Sequence, residues 1–208
     1  MYKIAKLALA AIVSLATVSA SAAIISGSIW AVPGSVASNA TFANVPARAP
    51  DVTFDVDNTL FFDSRTCAGC YSLGGFLTSV PGHEAFNIVE NTPGQLAGTS
   101  NDHLYLFEGL VTVTTGQTFT VTHDDGLQLD IGGLMVIDEP FGTPPVTTTR
   151  TYTGPSGNFA FRLVYGECCG APGVLQIDLP FRNVPEPGTL AMLGLGLAGL
   201  AATRRRTQ

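Results

Sequence analysis

Apolar and polar residues alternate with a period of two along most of the second half of the chain. This alternation predicts half-buried β-strands, because successive side chains of a strand point to opposite faces of the sheet. Short turn signals such as Asp124-Asp125-Gly126 separate the alternating runs. In one run the alternation places Phe161 and Leu163 on the core side. The predicted strands cover residues 103–108, 110–114, 117–123, 127–131, 147–152, 158–165 and 174–179.

The first half of the chain gives fewer strand signals. Residues 51–62 alternate and predict one half-buried strand, and residues 25–31 predict an edge strand. The segment 64–99 is rich in turn residues and predicts a long loop with one short strand at 75–79. Roughly seven to nine short strands with such turns are typical of a sandwich. We therefore predict an all-β protein with a single jelly-roll-like β-sandwich.

The composition supports short strands and many turns. Charged residues make up only 12% of the chain, whereas it contains 23 Gly and 13 Pro. The net charge of -6 makes nucleic acid an unsuitable partner. Without its two ends the chain keeps about 160 residues, which is enough for one domain with a sizeable core.

The N-terminal end, residues 1–23, has the pattern of a secretory signal peptide. Lys3 and Lys6 precede an uncharged apolar run over 7–18, and Ala20-Ser21-Ala22 forms a small-residue cleavage box. An uncleaved membrane helix is the alternative. The signal helix predicts export, and residues 24–183 are then the exported domain.

The C-terminal end, residues 184–208, has three parts: Pro185-Glu186-Pro187, an apolar run over 188–202, and Arg204-Arg205-Arg206. The prolines prevent a helix there, and the arginines favour the cytoplasmic side of a membrane. A helix of about 15 residues spans on the order of 23 Å, less than the ~30 Å hydrocarbon core. The run therefore predicts transient insertion, with a plain tail anchor or a core helix as alternatives.

These three parts resemble the PEP-CTERM sorting signal. The resemblance implies a protein exported by Gram-negative bacteria that make extracellular polysaccharide. It also implies an exosortase, a membrane protease, as partner, with cleavage near Pro185-Glu186-Pro187. The protein would then stay in the inner membrane only transiently, through its short hydrophobic helix, before it reaches the cell surface or the extracellular matrix.

Four cysteines, Cys67, Cys70, Cys168 and Cys169, lie in the exported part, where disulfides are the default. We expect two bridges. Adjacent cysteines close only a strained ring, so links from the 67/70 pair to the 168/169 pair are an alternative to two local bridges. A second Cys-x-x-Cys is missing from the sequence, which disfavours a zinc or redox site.

Catalytic motifs are missing from the sequence: it contains no G-x-S-x-G, no H-E-x-x-H and no phosphate-binding loop. The scattered His83, His103 and His123 predict surface or turn residues. Asp55 and Asp57 fit a solvated strand face better than a calcium loop. We predict no enzyme, with hydrolysis by an unrecognised carboxylate pair as the remaining catalytic alternative.

One acidic stretch, Asp124-Asp125-Gly126, carries candidate chemistry, although Asp-Gly between alternating runs is also an ordinary hairpin turn. With its flanking residues it resembles the anthrax protective-antigen-like β-sandwich, which also serves as the sugar-binding domain of yeast flocculins. The resemblance implies that Asp124 and Asp125 bind a calcium ion that also coordinates adjacent hydroxyl groups of a sugar. The family's further Asn ligand is missing from the loop 166–170, so Glu167 or carbonyl groups would replace it.

We therefore predict a non-catalytic module of the cell surface or matrix that binds polysaccharide or mediates adhesion, with calcium as its cofactor. The alternatives are a structural protein of the polysaccharide matrix without a discrete ligand site, and a hydrolase of the matrix.

Overall fold

A computed structural model describes residues 24–182. The predicted signal peptide, residues 1–23, and the whole predicted sorting tail, residues 184–208, therefore lie outside the described residues. The described part contains twelve strands and two short α-helices, α1 (Gly34–Ala37) and α2 (Leu73–Leu77). The strands are β1 (Ile24–Ala31), β2 (Val52–Asp57), β3 (Leu60–Asp63), β4 (Phe86–Glu90), β5 (His103–Val113), β6 (Thr118–Asp124), β7 (Leu127–Ile131), β8 (Leu134–Glu139), β9 (Val146–Thr151), β10 (Gly157–Glu167), β11 (Val174–Ile177) and β12 (Phe181–Arg182).

The strands form two antiparallel sheets. The larger sheet has the order β4-β2-β1-β5-β10-β7-β8, with β12 pairing beside β5, and the smaller has the order β3-β11-β6-β9. At the centre of the larger sheet, β5 and β10 pair in a register that joins Val113 to Gly157 and His103 to Glu167. The predicted all-β sandwich is confirmed. No helix among residues 24–182 is long and apolar enough to cross a membrane.

The core lies between the sheets and follows the alternation. Val52, Phe54 and Val56 of β2 are buried, as are Phe161 and Leu163 of β10. These side chains leave water together, and the burial of their apolar area is the main stabilising contribution to the fold. Several aromatic rings pack edge-on or tilted at the centre. They are Phe54, Phe62, Phe76, Tyr105, Phe107 and Tyr165.

The predicted strand at 75–79 is wrong, because this segment contains most of α2. Leu73, Phe76 and Leu77 are fully buried at helical spacing, so the apolar period here is three to four rather than two. The Ser72 side chain caps the helix by accepting a hydrogen bond from the Gly75 N–H over 3.1 Å.

Three further strand predictions need correction. β1 lies between β2 and β5 and is not an edge strand. The single strand predicted at 51–62 is two strands, β2 and β3, which belong to different sheets. β5 runs straight through Gly109, where a turn was predicted. A side chain at Gly109 would meet the Phe161 ring at 2.9 Å, so this glycine allows a close approach between paired strands.

Three strands were not predicted: the two-residue β12 and the longer β4 and β8. β4 lies at one edge of the larger sheet, inside the segment predicted as a long loop. β8 lies at the other edge, and its Leu134 and Met135 are exposed, so the sequence there lacks a clear alternation.

Both disulfides are local. Cys67 pairs with Cys70, and Cys168 pairs with its neighbour Cys169. The structure favours two local bridges over links between the two pairs, because each cysteine lies beside its partner within its own loop.

Candidate functional site

The acidic stretch is a connection between the two sheets rather than a hairpin. β6 ends at Asp124 and pairs with β9 and β11, whereas β7 begins at Leu127 and pairs with β8 and β10. The hairpin interpretation is wrong for this reason. Gly126 is needed because a side chain at this position would clash with the Pro140 carbonyl of the neighbouring loop. The Asp124-Asp125 peptide bond is cis.

Backbone donors from two loops hold the Asp125 carboxylate. Its Oδ2 accepts a hydrogen bond from the Cys168 N–H over 2.7 Å, and its Oδ1 accepts one from the Thr143 N–H over 3.2 Å. The Asp125 N–H donates to the Gly166 carbonyl. Burial raises the pKa of Asp125, although the two backbone donors and the nearby His123 oppose the shift.

Asp124 is 7% exposed and lies beside Asp125. Burial raises the pKa of Asp124 to about 7, with the charge of Asp125 as a second cause, while the Arg65 guanidinium opposes the shift. The Asp124 carbonyl accepts a hydrogen bond from the Tyr165 hydroxyl. Two adjacent carboxyl groups with too little positive charge around them therefore share this end of the sandwich.

Glu167, the last residue of β10, lies behind this pair and is fully buried. Burial raises the pKa of Glu167 to about 9. The charges of Asp125 and Asp124 add to this shift, and the hydrogen bond from the Tyr165 hydroxyl opposes it. Glu167 is therefore protonated at neutral pH unless a cation binds nearby.

Asn101 is a residue of this region that the sequence reasoning missed. With its amide oriented to suit its neighbours, it donates to Glu167 Oε1 over 3.3 Å and to the Gly170 carbonyl over 3.1 Å. Asn101 precedes β5, whereas the resemblance implies an Asn ligand in the loop after β10. The pairing of His103 with Glu167 brings the two segments together.

A cavity of about 390 Å³ opens at the two aspartates. Its other walls are the loops 142–145 and 168–172, which carry backbone carbonyl groups. Within residues 24–182, no three His, Cys, Asp or Glu side chains converge as a ready metal cage. Calcium does not require one, since it accepts carbonyl and water oxygens beside two carboxylates. The residues present fit such an ion.

Comparison with known proteins bears on both parts of the chain. A sequence model of the PEP-CTERM protein-sorting motif matches residues 183–206. The chain carries a PEP-CTERM sorting motif. The interpretation of Pro185-Glu186-Pro187 and the Arg204–206 cluster as a sorting signal is thereby confirmed, and with it sorting by export toward the cell surface.

The sandwich of this PEP-CTERM protein is similar to two solved domains. One is the PA14 domain of the antifreeze protein MpAFP, with a TM-score of 0.50, 19% identity, and coverage of 78% of this chain and 82% of that one. The other is a PA14 sugar-binding domain from an RTX adhesin, with a TM-score of 0.50, 20% identity, and coverage of 76% and 88%. Because both similar structures are PA14 domains, the fold is PA14-like. A search of curated protein sequences found no significant match.

Two of the three histidines of this PA14-like sandwich do not lie at the predicted surface or turn positions, whereas His83 lies in a turn in which its N–H donates to the Val80 carbonyl. His103 is 6% exposed and His123 is 1% exposed, so the prediction of surface or turn positions is wrong for both. Burial lowers the pKa of His103. The Nδ1 atom of His103 lies 2.6 Å from the Asn101 carbonyl, and Nδ1 of His123 lies 2.5 Å from the Asp125 carbonyl. Both rings support the backbone around the acidic residues.

Proposed function

We propose that this PEP-CTERM protein is a non-catalytic surface or matrix protein whose sandwich binds polysaccharide through a calcium ion at Asp124 and Asp125. The observation that carries the proposal is the pair of adjacent, nearly buried carboxyl groups, both with raised pKa, at the mouth of a cavity. A buried carboxylate is costly unless positive charge or hydrogen bonds compensate for it.

A divalent cation supplies the missing charge. When bound, calcium offers coordination positions to neutral oxygen ligands, which include the adjacent hydroxyl groups of a sugar. Asp124 and Asp125 would supply carboxylate oxygens, and the loop 168–172 would supply carbonyl oxygens. Glu167 is part of the proposed site, because its charge is coupled to both aspartates.

The sorting motif and the fold support the biological setting. The tail implies processing by an exosortase-type protease, with a transient stay in the inner membrane before the cell surface or matrix is reached. One of the two similar domains is described as sugar-binding, which favours a carbohydrate ligand here. Extracellular polysaccharide is therefore the proposed partner.

Isothermal titration calorimetry of the full chain, kept in a sugar-free detergent, tests the calcium site. We expect calcium binding with a dissociation constant of about 10⁻⁶ to 10⁻³ M. Asp124→Asn should abolish the heat, whereas Glu167→Gln should only reduce it, because Glu167 contributes charge behind the two carboxylates that bind the ion. Asp57→Asn, at an exposed aspartate of β2, is the matched control and should bind calcium normally.

A second measurement tests the proposed binding of polysaccharide through the calcium ion. Retention of the protein on the producing strain's own polysaccharide should be lost when EGTA removes calcium. Heat of calcium binding without retention on the polysaccharide would support the metal site and contradict the polysaccharide proposal. Equal heat from the wild type and Asp124→Asn would overturn the proposed site, and the absence of both signals would leave the structural role in the matrix.

A further inference from the structure

A second cavity, of about 640 Å³, lies between the edges of the two sheets. β8, the edge of the larger sheet, forms one wall, and β9, the edge of the smaller sheet, forms the other. An ion pair between Glu139 of β8 and Arg150 of β9 bridges the two edges. We call this cavity the edge cleft. Its lining residues are His123, Asp138, Glu139, Pro140, Phe141, Thr143, Val146 and Thr148.

Two buried polar atoms of the edge cleft lack a hydrogen-bond partner. They are Nε2 of His123 and Oγ1 of Thr148, and they are the only such side-chain atoms within residues 24–182. Buried polar groups in folded proteins are nearly always hydrogen-bonded, so an unpaired group needs an explanation. The occurrence of both atoms in the lining of one cavity points to a ligand that supplies the missing bonds.

The chemistry of His123 defines what such a ligand must offer. The Asp125 carbonyl can only accept, so Nδ1 of His123 carries the hydrogen of that bond. Nε2 of His123 lies 3.3 Å from Oε2 of Glu139 without forming a hydrogen bond. The other Glu139 oxygen contacts Arg150. A hydroxyl group, which can both donate and accept a hydrogen bond, can pair with Nε2 and with the Glu139 carboxylate.

Access to these atoms depends on Glu139. Its carboxylate covers Nε2 of His123, and its side chain is 39% exposed. A small shift of this flexible side chain therefore admits a hydroxyl group to the buried Nε2 atom. The neighbouring Asp138 and Glu139 make the wall negative, which disfavours an anionic ligand such as a uronic acid.

An aromatic ring stands at the edge cleft on a fixed piece of backbone. Phe141 is 71% exposed, yet it forms a β-bridge with Asn39. On either side, the Pro140 carbonyl accepts from the Ala40 N–H over 2.8 Å, and the Gly142 N–H donates to the Ser38 carbonyl over 3.3 Å. A large apolar ring that is exposed but held in place offers a flat surface to a ligand with an apolar face.

We propose that the edge cleft is a second, metal-independent carbohydrate site that takes a neutral sugar ring. The ring packs on Phe141, and its hydroxyl groups pair with His123 Nε2, Glu139 and Thr148. This inference rests on the proposed function only in that both sites would serve one polysaccharide. It needs no calcium, so the two proposals can fail separately.

Saturation-transfer difference NMR on the full chain in a sugar-free detergent tests the proposal. The probes are the methyl glycosides of glucose, galactose, mannose and rhamnose, with sodium glucuronate as the charged probe, all in EGTA. We expect at least one neutral glycoside to bind without calcium and glucuronate not to bind. Phe141→Ala and the isosteric Thr148→Val should each weaken binding about tenfold, and Tyr71→Ala, at another exposed aromatic residue, should not.

Each outcome separates the two sites. Binding in EGTA that survives Asp124→Asn and is lost in Phe141→Ala and Thr148→Val supports the edge cleft. Binding that requires calcium and ignores Phe141→Ala overturns the edge cleft and leaves the calcium site intact. Binding unaffected by Thr148→Val, preference for glucuronate, or no binding of any neutral glycoside in EGTA also overturns the edge cleft. Thermal melts of Phe141→Ala and Thr148→Val confirm that these variants are folded.

Discussion

Raising the pH from 7 to 8.5 should destabilise the calcium-free protein, chiefly because of Glu167. Its pKa is about 9 in the folded chain against an ordinary value of 4.5. Between these values the folded state holds a proton that the unfolded state has released. The stability contributed by Glu167 is therefore fully present below the unfolded pKa and is lost as the pH rises toward the folded pKa.

The size of the effect follows from the linkage relation. Each pH unit between the two pKa values changes the free energy of unfolding by about 1.4 kcal/mol for one proton. The interval from pH 7 to 8.5 therefore corresponds to a loss of about 2 kcal/mol. Asp51 and Asp63, whose pKa values are lowered by Arg48 and Arg65, lose their contribution only in acid and do not change in this interval.

The assay is urea unfolding in EGTA at several pH values, with the wild type compared with Glu167→Gln. Glutamine keeps the shape and the acceptor for the Tyr165 hydroxyl but cannot ionise. The variant should lose most of the pH dependence and be the more stable protein at pH 8.5. A free energy of unfolding that stays constant or rises in the wild type would refute the reasoning, as would an unchanged slope in Glu167→Gln.

Two stability predictions concern single side chains. Phe161→Ala and Leu163→Ala should each lower the free energy of unfolding by about 2–5 kcal/mol in a denaturant melt, because both side chains of β10 are buried in the core. Near-neutral results for both would mean that β10 turns a different face toward the core. Thr148→Val should raise the free energy of unfolding by about 1 kcal/mol, since it replaces an unpaired buried hydroxyl with a methyl group, and a loss of stability would show that this hydroxyl has a partner in solution.

Much of the sandwich could be predicted from the alternation, and the failures have local causes. β6, β7 and β9 to β11 were predicted close to their final bounds, because one face of each strand is buried or, in β9, half-buried. β8 was missed because an edge strand can leave both faces exposed. α2 was missed because Gly74 and Gly75 obscure the helical spacing of Leu73, Phe76 and Leu77.

The acidic residues could be predicted as a candidate site, but their surroundings could not. Asp-Gly between two alternating runs has the same local sequence whether the strands pair with each other or belong to different sheets. The burial of Glu167 and its contact with Asn101 depend on the pairing of β5 with β10. The relevant segments lie far apart in the sequence, and pattern within one segment contains no information about the other.

The pairing of β12 with β5 locates the C-terminal strand of the domain relative to the proposed site. Phe181 pairs with Val111, whereas the acidic residues lie near the His103 end of the same strand, roughly eight residue steps or about 27 Å away. β12 therefore begins at the end of the sandwich far from the proposed site and, because it pairs antiparallel with β5, runs from there toward the His103 end. The last described residue, Arg182, pairs with Leu110, roughly seven residue steps along β5 from His103, the partner of Glu167, so the domain ends on the strand that also places the buried acid of the proposed site.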